Sequence, residues 1–224
     1  IYKWKKSVLY EVDYDLYLKP LKDFPKKQIV IILENNTRYS FRLNDLNNYW
    51  IICLTNNQGL FSKPLELKNP HTNIKISTHN LFNIYFALLN SSLIIPLCIN
   101  GLFSCLMNVE TFSYQFYGLL KERTIINFIK SDGIFEKYEQ ILNMLHDLRK
   151  EVDYLTISNT VTYRSKVFLC KKLKETLLFY LKNKYSCNPL IRRDSGEKVK
   201  MSLKTYLQEH PNYGLSESDI IKYV

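Results

Sequence analysis

Hydrophobic residues are spaced in two different ways along this chain, and the change between them predicts its architecture. In the first third the spacing is that of strands. Val8, Tyr10, Val12, Tyr14, Leu16 and Leu18 alternate with Glu11, Asp13 and Asp15, which predicts a half-buried strand over 8–18. Ile29, Val30, Ile31, Ile32 and Leu33 form a continuous apolar run within 28–34, and Tyr39, Phe41 and Leu43 alternate with Ser40 and Arg42. Asn35-Asn36 between the two runs predicts a hairpin, because asparagine tolerates positive φ. Asn44-Asp45 then reads as the cap of a short helix through Leu46, Trp50 and Leu54. Asn56-Asn57-Gln58-Gly59 reads as its left-handed terminator, and 60–73 as extended chain punctuated by Pro64 and Pro70.

From Ser77 onward the spacing is helical. Ser77 or Thr78 is placed to cap a helix carrying Leu81, Phe82, Ile84, Tyr85, Leu88 and Leu89, closed by Asn90-Ser91-Ser92. A second apolar segment, 93–107, is interrupted by Pro96 and Asn100-Gly101. One helix is predicted over 110–130, stopped by Ser131-Asp132-Gly133. The clearest amphipathic pattern is 134–150, with Tyr138, Ile141, Leu142, Leu145 and Leu148 on one face. Another helix is predicted over 165–184, then a polar loop over 186–196, a short helix near 201–209, and a last turn opened by Ser216 with Asp219. The fold class is α+β, predominantly α: a small β-rich N-terminal part packed on a helical bundle. Three stretches are distinguished, 1–66, 67–185 and a basic 186–224, read as one continuous domain.

Composition is that of a chain that buries a core, with 46% hydrophobic and 23% charged residues, which excludes wholesale disorder. The chain begins at Ile1 rather than Met and is read as a fragment or trimmed product. Five cysteines, Cys53, Cys98, Cys105, Cys170 and Cys187, are odd in number, widely spaced and without a Cys-x-x-Cys; most sit in apolar surroundings as buried thiols, and a reducing compartment is expected. The stretch 76–109 contains no Lys, Arg, Asp or Glu, but Asn83, Asn90, Pro96 and Asn100 divide it. Short core helices therefore account for it better than a membrane span.

Chemistry is sparse. The four histidines offer no ligand spacing; Cys98 and Cys105 with His79 are the nearest approach to a metal set, and buried packing explains them better. There is no Gly-x-Ser-x-Gly, and the glycines stand alone instead of forming a phosphate-cradling loop. Asp13 and Asp15 read as a solvated strand edge, and Glu136, Glu139 and Asp147 as the polar face of a helix. The expectation is a protein without enzymatic activity, cofactor or small-molecule substrate. A net charge of +10 points to an acidic partner. Lys3, Lys5 and Lys6 surround Trp4, and Lys166, Lys171, Lys174, Arg192 and Arg193 form a basic C-terminal third suited to phosphate.

The most distinctive segment is 59–73, continuing through 74–86, and it contains Asn69-Pro70-His71-Thr72-Asn73 followed by Asn80-Leu81-Phe82-Asn83-Ile84-Tyr85-Phe86. Asn69 before Pro70 forces an extended turn, Thr72 and Asn73 can bond nearby backbone, and Phe82, Tyr85 and Phe86 supply an aromatic anchor for the core or a partner. This block resembles one found in proteins of large nucleocytoplasmic DNA viruses of protists and algae (giant viruses). An Asn-, Ile-, Lys- and Tyr-rich composition agrees with the AT-rich coding of such genomes. The resemblance spans roughly 46–129 and carries no catalytic residue. It implies a viral protein located in the virion, passing through the reducing host cytoplasm during assembly. The resulting expectation is a structural protein, a minor capsid or capsid-associated protein, binding other virion proteins through Phe82, Tyr85 and Phe86, a Tyr-rich surface and basic helices. The alternative is a DNA-binding or packaging protein of the same virus class.

Overall fold

The computed structural model describes residues 5–10, 13–148 and 162–209. Among these it contains nine helices and five short strands, an α+β fold that is predominantly α. The chain divides into two compact units, Ile1–Asn57 with Ser62–Tyr117, and Gln58–Phe61 with Gly118–Val224. This division falls at 117/118, whereas the sequence pattern placed its boundaries at 66 and 185.

The first unit is organised on a three-stranded sheet of β1 (Val8–Leu9), β2 (Ile29–Glu34) and β3 (Thr37–Arg42), with β3 central, parallel to β1 and antiparallel to β2. The predicted hairpin is present. Asn35 and Asn36 both take positive φ, 46° and 62°, the mirror-image turn that matches the twist of the flanking strands. Val30 pairs with Phe41 and Ile32 with Tyr39, so one face of the hairpin is wholly buried. The chain passes directly into α1 (Leu43–Leu54), which buries Leu43, Leu46, Trp50 and Leu54. Arg42, not Asn44, stands at its N-cap, and no side chain caps it. Gly59 (φ 56°) turns a small hairpin of β4 (Asn57–Gln58) and β5 (Phe61–Ser62) instead of terminating the helix.

Of the described residues in the predicted strand over 8–18, only Val8–Leu9 form strand. Asp15 accounts for the difference. Its carboxylate is buried and accepts the backbone N–H groups of Tyr17 (2.9 Å) and Lys19 (2.8 Å), folding the chain into a tight turn that leaves Leu18 exposed at φ 62°. The acid is therefore an internal anchor, not part of a solvated edge; Asp13 alone is exposed. Asp45, on α1, is also buried and accepts the Leu16 N–H at 3.2 Å. The Arg42 guanidinium lies 3.4 Å from Asp15 and 3.8 Å from Asp45, and its carbon sits 4.1 Å from the centre of the Phe24 ring. The two carboxyls are driven in opposite directions. Burial would raise Asp15, but the Lys19 and Tyr17 N–H groups and Arg42 hold it below the usual carboxylate range. Burial and the neighbouring Asp15 charge push Asp45 up.

The unit is completed by α2 (Thr78–Leu89), α3 (Leu97–Ser104) and α4 (Val109–Gln115). Pro96 stands at the N-cap of α3, but Asn100-Gly101 does not break it. A Cβ on Gly101 would meet the Phe116 ring at 2.8 Å, so the glycine is where this ring packs on the helix. Phe116 also stacks on Phe112 at 5.3 Å, and the single helix expected over 110–130 ends at Phe116 and restarts as α5 (Tyr117–Lys130). Packing of one ring overrides a continuous helical pattern.

The second unit contains α6 (Ile134–Leu148), α7 (Tyr163–Lys172), α8 (Lys174–Tyr185) and α9 (Pro189–Glu209) together with most of α5. The stop at 131–133 and the amphipathic α6 are as the pattern predicts. Ile125, Phe128 and Ile129 of α5, Ile141 and Met144 of α6, Leu169 of α7, Leu177 and Leu181 of α8, and Val199 and Leu203 of α9 share one core. The helix expected over 165–184 is divided at Leu173, which is buried and leaves helical geometry to join α7 to α8. The polar loop expected over 186–196 is largely helix. Asn188 accepts the Leu190 N–H at 2.9 Å, Pro189 takes the first helical position, and α9 runs through Ser195-Gly196. A Cβ on Gly196 would lie 2.6 Å from Asn183 Nδ2, so this glycine serves close packing of α9 on α8. Tyr180 and Lys184 of α8 both donate to Asp147 of α6, at 2.6 and 2.8 Å. The expected last turn at Ser216 and Asp219, and Lys3 with Trp4, lie outside the described residues.

The opposed carboxyls define a pH signature. Asp15, lowered in the fold, adds stability above its unfolded pKa that is lost as pH falls through the folded value. Asp45, raised in the fold, adds stability only below its unfolded pKa and loses it as pH rises. At pH 7 Asp15→Asn therefore lowers the urea midpoint, while Asp45→Asn, which keeps an acceptor for Leu16, leaves it unchanged or raises it. Urea titrations of both variants at pH 5 and 7 check the opposite signs, and the gap between them narrows at the lower pH.

Candidate interaction surfaces

The distinctive block at 69–86 is built into the first unit as a clamp. Asn69 is completely buried, and its Nδ2 donates 2.9 Å to Glu34 Oε2 at the end of β2. Thr72 donates its hydroxyl to the same oxygen at 2.7 Å. Asn69 Oδ1 accepts the His71 N–H at 3.0 Å, and Asn73, at φ 57°, closes the turn by donating its N–H to the Asn69 carbonyl at 2.8 Å. His71 lays its ring 5.1 Å from that of Phe41, and burial lowers its pKa, favouring the neutral form. Asn80, in the first turn of α2, donates 2.8 Å to the Leu33 carbonyl. The side-chain hydrogen bonds of this block thus join the hairpin to the start of α2.

The three aromatics proposed from the sequence are brought together with a fourth, Phe103 of α3. Tyr85 stacks on it at 4.0 Å and 11°, while Phe82 and Phe86 meet its ring nearly edge-on at 5.8 and 6.1 Å. Their exposures differ. Tyr85 is buried and donates to Asn100 Oδ1 at 3.1 Å, which makes it core; Phe82 is half-buried; Phe86 is 48% exposed. Phe82, Phe86 and Leu89 stand at i, i+4 and i+7 on α2, one stripe of that helix. Leu89, Ile94, Leu97 and Leu106 are also exposed, Ile94 by 89%. The uncharged stretch 76–109 is thus only partly core. These four aliphatics escaped the sequence reading because a residue that packs inward and one that faces outward have the same identity.

The five basic candidates all lie in the second unit, on three of its helices. Lys166 of α7 sits 5.6 Å from the ring centre of Phe135 and 5.1 Å from that of Tyr138. Arg192 donates Nε to the Asn183 carbonyl at 3.2 Å, near the last turn of α8. Lys174 occupies the first turn of the same helix, roughly 13 Å away along its axis. Lys171 and Arg193 are exposed, on α7 and α9. Exposed tyrosines occur in both units, with Tyr114 at 86% in the first and Tyr163 at 60% in the second.

Among the described residues no group of three or more His, Cys, Asp or Glu side chains could hold a metal ion. Cys98 and Cys105 are buried, His79 is exposed, and Cys105 Sγ contacts Gln115 Oε1 at 3.2 Å. No described helix is long and apolar enough to cross a membrane. No protein-family model, curated protein or solved structure matches the chain.

Because Asn69 is fully buried, Glu34→Ala leaves its amide without an acceptor. The expected cost is about 1–3 kcal/mol of unfolding free energy. Glu34→Gln retains an acceptor and loses less. Urea unfolding of the two variants measures the difference.

Proposed function

We propose that this chain is a structural protein without enzymatic activity, a minor capsid or capsid-associated protein of a large DNA virus, which assembles through the face made by α2, α3 and their flanking loops. The observation that supports the reading is that face itself. Phe86, Leu89, Ile94, Leu97 and Leu106 are all exposed, and all belong to a stretch that contains no charged side chain. Exposed apolar patches mark interaction sites, and depletion of charge is what distinguishes the centre of an interface from ordinary surface. The viral assignment rests on the resemblance of the block at 69–86.

The occupant that fits best is a second copy of the chain. At a net charge of +10, two copies repel each other. An uncharged face is where they approach at least electrostatic cost and desolvate no unpaired ion. Sedimentation equilibrium of the purified chain in 150 mM salt is expected to give a concentration-dependent dimer, and Phe86→Asp a monomer of unchanged circular dichroism. A wild-type chain that remains monomeric at about 100 μM, equivalent to a dimer weaker than about 5.5 kcal/mol, overturns the second-copy assignment.

The alternative, a DNA-binding or packaging protein, draws on Lys171, Lys174 and Arg193, which are exposed with no carboxylate within 4 Å among the described residues. Anisotropy with duplex DNA at 50 and 200 mM salt separates the readings. Neutralising 6–10 phosphates weakens binding by roughly 10³–10⁵ across that range. The structural reading expects weak binding and a much shallower slope, unchanged by reversing Arg192 and Arg193.

A further inference from the structure

The second unit contains a cavity of about 470 Å³, within the range that holds small ligands, between the hairpin tip at 58–61 and helices α5 and α6. Lys121 of α5 lies in its wall and is only 8% exposed. Its ammonium donates 2.9 Å to the Leu60 carbonyl and stands 4.7 Å from the centre of the Tyr185 ring, with no carboxylate within 4 Å among the described residues. An ammonium has three donors, and the carbonyl takes one. A buried cation without a counter-charge is costly, and burial lowers the pKa of this one. Gln140 of α6 lines the same cavity and has a buried Oε1 that finds no partner. Phe61 and Phe128 supply apolar wall. Glu136 and Glu139, one helical turn apart on α6, are exposed and line the cavity from its outer side.

We propose that this cavity binds a small zwitterion with an apolar body, an amino acid of the phenylalanine type, its carboxylate on Lys121 and its ammonium toward Glu136 and Glu139. The charges select this class. One cation inside and two carboxylates outside repel a dianion such as a phosphate ester and leave a simple carboxylate with an unfavourable outer end. A zwitterion complements both ends, and its ammonium or a bound water reaches Gln140. A purely structural role for Lys121, tying Leu60 to α5, accounts for one hydrogen bond but for neither the cavity nor the unpaired Gln140 oxygen.

The test is titration of the full chain, by calorimetry and saturation-transfer NMR, with L-phenylalanine and its two single-charge halves, 3-phenylpropionate and phenethylamine. Phenylalanine is expected to bind, and each half about tenfold or more weakly, as loss of a charge-assisted hydrogen bond implies. Lys121→Met is expected to weaken phenylalanine about tenfold while leaving phenethylamine unchanged. Should Lys121→Met fail to fold by circular dichroism, the exposed pair Glu136→Gln with Glu139→Gln provides the same reading, shifting preference from phenylalanine toward 3-phenylpropionate. No binding of any of the three at about 10 mM, equal binding to folded Lys121→Met, or an unshifted preference in the glutamine pair overturns the proposal.

Discussion

The first unit depends on one buried amide. Asn69 is fully enclosed, and its side chain must find partners because an unpaired amide in such a place costs more than the bond returns when made. It finds them in Glu34 and in the backbone of its own turn. Glu34 ends β2, and the turn at 69–73 leads into α2, so this contact fixes where α2 begins relative to the hairpin. Asn80 repeats the connection one turn into the helix through the Leu33 carbonyl. The direction of α2 decides which of its residues meet α3 and which are left outside. Phe86 and Leu89 are therefore exposed as a consequence of a polar clamp several residues upstream.

Buried charge is handled differently in the two units. Arg42 lies between two buried carboxyls, with its face on Phe24, and its charge is matched within the fold. The surplus is a second carboxyl, and Asp45 is the one driven toward its neutral form. Lys121 has a carbonyl and aromatic faces but no counter-ion among the described residues. A matched buried charge explains local structure: Asp15 draws its own loop inward and prevents a strand. An unmatched one beside a cavity is the basis of the ligand proposed for the second unit.

The proposed modes of action follow from where charge is absent and where it is stranded. Over most of the sequence Lys and Arg exceed Asp and Glu, which keeps copies apart; between Ile76 and Val109 there is none of either sign. Of the basic candidates, Lys166 lies over aromatic rings and Arg192 bonds the Asn183 carbonyl of α8. An apolar assembly face and a small polar-lined cavity are compatible in one chain because they belong to separate compact units.

Much of the local structure was legible in the order of residues. Asn35-Asn36 between β-branched and aromatic runs specifies a hairpin because few residues accept two consecutive positive φ values. The α6 stripe and the stop at 131–133 specify a helix and its limits by periodicity alone. Of the candidate site, the Phe82, Tyr85 and Phe86 grouping was visible through helical spacing, but not that Tyr85 would turn inward while Leu89, Ile94, Leu97 and Leu106 stayed outside. Nor could spacing show that Phe116 packs on Gly101, that Leu173 divides two helices, or that Gly196 is a contact point within α9 instead of a break. An i, i+4, i+8 series at Ser195, Val199 and Leu203 was the available signal for α9, obscured by its weak opening residue. Local sequence determines which backbone conformations are cheap. Which aspartate is buried, which lysine loses its counter-ion and which apolar side chain is left exposed depend on residues distant in the chain, and only tertiary packing decides them.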